Sequence, residues 1–437
     1  MRHEQFTKRY LFRICLTVVV SGTLAATPLA WEDPLKGRYL SGAPLTICDQ
    51  GSFFVGGVPK VTRYASSAAV REGGPPQQIT IGQMYVQFQI PEQRRTWPLI
   101  MIHGSTHTGA ALDSTPGGGE GWLSYAVRNK LATFVVDQPG RGRSGFDQSV
   151  ILEAKATGNW NLIPSSFGRI TDDSAWTTWF GHIVPAGTDI TTGKMIRHGD
   201  PGDPDPAENQ TEPSQAHGAY VPAFPIPPAP NSANPRLVAR SGAIGNAPNP
   251  SNNTYLGLEY YKQLVPNAEV TLPGSTCATC TPQNLSPANT WTPQNLALLV
   301  ERLGGAIVAT HSQSGIMGHH MIRILKERGK LDLVKGLITV EGGCSLPNSG
   351  LTAADFDSIP YLAIKGDYTA ISQQCQETVD AINKRRAEKQ GTAKAEYMKL
   401  DEMGMLGVTH MMMLDRRNLE IADLMLNWAS KNVRPKK

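Results

Sequence analysis

The stretch Val308-Ala-Thr-His-Ser-Gln-Ser-Gly315 puts a serine between an apolar run and the start of a helical one. A serine there can react if the chain turns sharply enough to lift its hydroxyl above the strand ends. Such a turn tolerates only small side chains two residues to either side. Ser312 meets that condition, with Thr310 and Ser314 at its flanks. Ser314 has Ile316 two residues on, which would crowd the turn. Ser312 is therefore the expected nucleophile. The N-terminus of the following helix would supply backbone donors and a dipole that favours developing negative charge. The implied chemistry is attack on a polarised carbonyl, which also needs a base and a place for the oxyanion.

The base must be a histidine on a late loop, and the chain has ten histidines. His410 lies in Gly407-Val-Thr-His-Met-Met-Met, between the last expected strand and the last expected helix. Parallel strands would bring it to the same end of the sheet as Ser312. His319 and His320 fall on the helix after the elbow and are expected to be packed or solvated. His103 and His107 lie on an early loop, where His103 would shape the loop and His107 would do so or touch substrate. In that loop, His103-Gly104-Ser105 follows an apolar run, so the backbone N–H groups of Ser105 and Gln313 are the oxyanion candidates.

The elements that must position these groups read as alternating strands and helices. Extended segments are expected at 43–58 and 79–91, the second with Met84, Val86, Phe88 and Ile90 in alternation. Continuous apolar runs at 97–103, 132–137, 304–310, 333–341 and 360–366 read as buried parallel strands, with a further strand at 395–400. Helices are expected at about 119–130, 293–303, 314–329, 372–389 and 417–431. Residues 145–292 are unlike either flank. Within them, 199–253 are crowded with Pro, Asn and Gly, while Trp160, Trp176, Trp179, Phe180, Tyr220, Phe224, Tyr260 and Tyr261 lie around that stretch. An irregular segment of this length inside a globular chain reads as a lid over a site.

Taken together, the His103-Gly-Ser loop, Asp137-Gln-Pro-Gly-Arg-Gly-Arg-Ser144, the Ser312 elbow and the His410 loop resemble the α/β-hydrolase superfamily, in its secreted serine-esterase-like branch. The resemblance covers about 97–145 and 293–431, not the Pro-rich insertion. It implies an α/β fold: a mostly parallel twisted sheet with helices on both faces and a large irregular cap insertion. It implies acyl transfer without a metal or organic cofactor, and a serine at the elbow speaks against the dehalogenase and epoxide-hydrolase branches. The family usually takes its triad acid three residues beyond a glycine after the seventh strand, which here is Thr369 beyond Gly366 and cannot serve. Glu341, at the end of the preceding strand, is the favoured acid, with Asp367 the alternative. A carboxylate at a buried strand's end needs a partner, and a catalytic histidine is a suitable one.

Composition bounds the remaining choices. The 437 residues are 40% hydrophobic and 18% charged, an ordinary globular balance. The formal net charge of +4 is concentrated in the first 30 residues, where Arg2, Lys8, Arg9 and Arg13 face Glu4 alone. What remains is no footprint for nucleic acid. That basic segment, the apolar run Ile14–Ala26 and the small residues after it read as an export signal, too short to span a membrane comfortably. The expected divisions are a signal at 1–30, core at 31–144, cap at 145–292 and core at 293–437. The protein is expected outside the cytoplasm, secreted or periplasmic, with no stable membrane anchor. Of the cysteines beyond the signal, Cys344 and Cys375 each follow an expected strand and could bridge, Cys277 and Cys280 could close a short loop, and Cys48 is left over. The expected substrate is a small-molecule carboxylic ester. The alternatives are a lactone, amide or diketone cleaved by the same groups, or a binding protein on an inactive hydrolase scaffold.

Overall fold

A computed structural model describes residues 44–66, 73–94, 97–115, 119–163, 167–170, 175, 179, 181–184, 194–197, 260–267, 290–366, 372–405, 408–415 and 417–435. The expected signal, the 199–253 stretch, Cys277, Cys280 and Asp367 lie outside the described residues.

The chain forms β1 (Ile47–Thr62), β2 (Gln77–Pro91), β3 (Leu99–Ile102), α1 (Ala110–Asp113), α2 (Trp122–Arg128), β4 (Thr133–Asp137) and α3 (Ser149–Thr157). The insertion adds β5 (Gly181–Val184) and β6 (Lys194–Arg197), an antiparallel pair apart from the main sheet. The second half supplies α4 (Trp291–Leu303), β7 (Ala306–His311), α5 (Ser314–Glu327), β8 (Val334–Val340), α6 (Leu346–Ser349), β9 (Tyr361–Lys365), α7 (Ser372–Glu388), β10 (Ala395–Lys399) and α8 (Asn418–Asn432). The main sheet has eight strands in the order β1-β2-β4-β3-β7-β8-β9-β10. β1 and β2 are antiparallel to each other, β2 is antiparallel to β4, and every other pairing is parallel.

The interiors of the inner strands β3, β4 and β7 are largely apolar because both faces are covered, whereas much of the edge strand β1 is exposed. Leu99 and Met101 pack in one cluster with Trp122 and Leu123 of α2 and Ile421, Met425 and Trp428 of α8. Their neighbours Ile100 and Ile102 pack in the other, with Leu296 and Val300 of α4 and Met321 and Leu325 of α5. The period-2 pleat sends alternate residues to opposite faces, so a strand between two helical layers reads as an unbroken apolar run.

Two boundaries differ from the sequence reading for local reasons. α2 begins at Trp122 rather than near 119, because Gly121 is extended and closely apposed to the backbone of Leu112 and Asp113. α4 begins two residues before Pro293, in the first turn, where a missing N–H costs no helical hydrogen bond. α3 is an addition inside the insertion, ended by Gly158 in the left-handed region.

The site's position follows from topology. The chain leaves β3 toward β4 on one side, whereas β7 joins β3 on the other. Loops diverge where strand order reverses, and the crevice opens at the carboxyl ends of the strands. The loop after β3 and the turn after β7 therefore meet there. Farther along, Cys344, just after β8, is disulfide-bonded to Cys375 of α7. Cys48 is an exposed free thiol.

Burial also sets an acid sensitivity. Desolvation lowers His103, His319 and His320 to about 4 and His107 to about 3, and holds His311 well below the ordinary value. An unfolded chain protonates these rings as pH falls below about 6.5, whereas the folded chain does not until near 4. Unfolding then takes up protons, so stability falls with pH across that window, by up to about 1.4 kcal/mol per pH unit for each ring. Asp113, raised to about 6 by burial, opposes the trend, but it is one group against five. The urea midpoint is expected to drop steeply from pH 6.5 to pH 4. A flat midpoint over that range would contradict the neutral burial of these rings.

Candidate active site

β7 ends at His311 and α5 begins at Ser314, leaving Ser312 and Gln313 to make the turn. Ser312 adopts φ 55°, a left-handed conformation rare for a residue with a Cβ. Strain of this kind costs on the order of 1–3 kcal/mol and persists only where packing enforces it. Here the Ser312 N–H donates to the Val340 carbonyl at 3.0 Å, and the Ser312 carbonyl accepts from Gly315 N–H at 2.9 Å. Ser314 is fully buried. Its hydroxyl accepts from the His311 N–H and donates to the His311 carbonyl, both at 2.8 Å. Of the two serines, only Ser312 turns its hydroxyl toward a histidine ring.

That histidine is His410, whose Nε2 accepts from Ser312 Oγ at 2.9 Å. Its Nδ1 donates to Glu341 Oε2 at 3.1 Å. The Glu341 side chain is fully buried, and its other oxygen accepts from the Gly366 N–H. Glu341 also has a positive φ, 49°, just past the end of β8. The loop carrying His410 is tied on several sides. Thr409 N–H and Oγ1 donate to the Asp415 carboxylate at 2.9 and 2.8 Å. His410 N–H donates to the Trp179 carbonyl at 3.1 Å, and the His410 carbonyl accepts from His311 Nε2 at 2.8 Å. The His311 ring lies 4.8 Å from that of His410, and burial keeps it neutral, so it adds no competing charge.

The loop after β3 forms the other wall. A Cβ on Gly104 would stand 2.7 Å from Ser312 Cβ, so only glycine allows this approach. His103 is buried. Its Nδ1 donates to the Gly104 carbonyl at 2.9 Å, and its Nε2 accepts from Gln138 N–H at 3.0 Å, one of each as a neutral ring allows. No acceptor among the described residues takes the N–H of Ser105 or of Gln313, and both residues are half-buried beside Ser312.

The insertion returns across this loop. Asn267 Oδ1 accepts from Thr106 N–H, and its Nδ2 donates to Ser105 Oγ, both at 2.8 Å. Val265 N–H donates to the Thr106 carbonyl at 2.9 Å. Tyr260 OH donates to His107 Nε2 at 2.8 Å, while His107 Nδ1 donates to the Ser105 carbonyl. The Trp179 ring stacks near His410, with centroids 6.3 Å apart and planes 18° apart, and sits 4.9 Å from the His107 ring.

The structure thus brings Ser312, His410, Glu341, Ser105 and Gln313 to one crevice. His103 and His107 shape its loop, and His319 and His320 are buried on α5. Trp179, Tyr260 and Tyr261 of the insertion are buried with the core and Trp160 is exposed, while Trp176, Phe180, Tyr220 and Phe224 lie outside the described residues. Sequence reasoning missed Arg141, His311 and Asn267. The first two lie within stretches already singled out by motif, so a signal was present; for Asn267, distant in sequence, there was none. Among the described residues, no cluster of His, Cys, Asp and Glu is arranged to hold a metal ion, and no helix is long and apolar enough to cross a membrane.

Comparison with known proteins agrees with this architecture. No family model matches the chain. It is 22% identical to a fungal protein described as "Probable secreted lipase phiG", over 82% of this chain and 88% of the relative. The solved structure of a novel bacterial esterase superposes with a TM-score of 0.63 at 26% identity, covering 90% of this chain and 98% of the other.

Proposed function

We propose that this member of the α/β-hydrolase superfamily hydrolyses small-molecule carboxylic esters through an acyl-enzyme on Ser312. The observation that carries the proposal is the continuous relay from Ser312 Oγ to His410 Nε2 and from His410 Nδ1 to the buried Glu341 carboxylate, at 2.9 and 3.1 Å. Ser312 attacks the ester carbonyl as His410 takes its proton. Glu341 keeps Nε2 free to accept and stabilises the imidazolium. The N–H groups of Ser105 and Gln313 receive the oxyanion, aided by the N-terminus of α5. The tetrahedral intermediate collapses as His410 returns the proton to the leaving alcohol. Water, activated by the same ring, then releases the acid. The secreted relative, the basic-then-apolar N-terminus and the Cys344–Cys375 disulfide support export to an oxidising compartment.

The test is a substrate panel: p-nitrophenyl esters of graded chain length beside lactones, anilides and a β-diketone. Ester turnover exceeding the others by orders of magnitude is expected. Selective lactone or diketone cleavage would move the assignment to that bond, and no turnover or labelling at all would favour a binding role. Gly104→Ala gives a further check. The added methyl must displace Ser312 or the Ser105 peptide, so kcat is expected to fall about 100-fold, as when one oxyanion donor is lost, with KM little changed. Wild-type kcat in that variant would place the oxyanion elsewhere.

A further inference from the structure

A peptide N–H points opposite the carbonyl of the preceding residue. The aim of the Ser105 N–H is therefore set by whatever holds the Gly104 carbonyl, and that of the Gln313 N–H by whatever holds the Ser312 carbonyl. The Ser312 carbonyl is held locally, by Gly315 N–H. The Gly104 carbonyl is held by two side chains, His103 Nδ1 at 2.9 Å and Arg141 Nη1 at 3.0 Å. The same guanidinium reaches across the crevice, where Nη2 donates to Gln313 Oε1 at 2.9 Å. Thr106 N–H is already committed to Asn267, which leaves Ser105 as the loop's donor.

We propose that Arg141 is a positioning residue for the oxyanion hole, its guanidinium fixing the Gly104–Ser105 peptide on one side and Gln313 on the other. The proposal deepens the acyl-transfer reading and rests on it. Arg141 is only 2% exposed. Taking a guanidinium out of water is costly, and a hydrophobic side chain would fill the space at lower cost if filling were its task. A planar fork with divergent donors suits two acceptors on separate loops, which a lysine ammonium cannot span equally well.

The turn bearing Arg141 is built to hold it still. Arg141 N–H donates to the Gln138 carbonyl and Ser144 N–H to the Arg141 carbonyl, both at 3.0 Å. Ser144 Oγ donates to the Asp137 carbonyl at 2.6 Å and accepts from Tyr85 N–H at 2.8 Å. Gly142, at φ 48°, lies so near Asp137 that a Cβ would stand 2.7 Å from its carboxylate. The Asp137–Ser144 motif thus becomes a bracket whose working part is the arginine between its two glycines.

The test compares wild type, Arg141→Met and Arg141→Lys, each checked by circular dichroism and thermal melting. Rates are expressed per Ser312 titrated with a fluorophosphonate. Arg141→Met is expected to lower kcat on a p-nitrophenyl ester by about 10- to 100-fold with KM within about threefold. Affinity for an alkyl boronic acid, which forms a tetrahedral adduct on the serine, should fall by a similar factor. Arg141→Lys should recover part of both losses, and it alone decides the matter if the Met variant does not fold. A purely structural role would reduce the titratable fraction but leave kcat per titrated site unchanged, and that result in both variants would overturn the proposal. If wild type itself fails to react with the fluorophosphonate, the acyl-transfer reading falls, and Arg141's role with it. If wild type reacts and only the Arg141 effects are missing, the acyl-transfer reading stands without them.

Discussion

Ser312→Ala is expected to reduce kcat for ester cleavage by a factor on the order of 10⁴ to 10⁶ while leaving the fold intact. The Oγ is the atom that forms the acyl bond, and Ser314 cannot replace it because its hydroxyl is engaged within the turn. A residue of roughly 10³-fold acceleration over water should persist, supplied by binding and the oxyanion donors alone. Stability should change little, since alanine bears the same left-handed strain at φ 55°. Ser312→Gly removes that strain, so it should be equally inactive yet melt at a higher temperature than the alanine variant. Kinetics and melting curves of the pair separate chemistry from conformation. An alanine variant with more than a hundredth of wild-type activity would point to a different nucleophile.

Glu341→Gln should cost about 10³- to 10⁴-fold in kcat. The amide is nearly isosteric and can still accept from Gly366 N–H through its oxygen. It then turns an NH2 toward His410 Nδ1, which favours the tautomer with the proton on Nε2. That tautomer cannot accept the serine proton, and the imidazolium loses its counter-charge. Asp367→Asn is expected to lie within a few-fold of wild type. The reverse ranking would transfer the acid role to Asp367.

The inner strands were legible because they are buried on both faces, so that short runs such as Ile100–Met101 and Val135–Val136 are apolar without interruption. That Ser312 and His410 would meet was legible because turn sterics and chain order constrain them strongly. Thr369 stands where a carboxylate was expected, and Glu341, one strand earlier, is the carboxylate that reaches His410. What the sequence hid were contacts between distant segments. Asn267 meets Ser105 across 162 residues, and Trp179 meets His410 from inside the insertion. No local pattern encodes either. Arg141 was in view within its motif, but a surface arginine and a buried one look alike in a sequence; only the fold turns it toward Gly104 and Gln313.

The most direct test of the central claim is to react the protein with a fluorophosphonate, measure the intact mass, and map the adduct by peptide sequencing. The account predicts one adduct per chain, on Ser312, with ester hydrolysis lost in proportion to labelling and no adduct in Ser312→Ala. An adduct on another residue, or full labelling that leaves ester hydrolysis untouched, would contradict it.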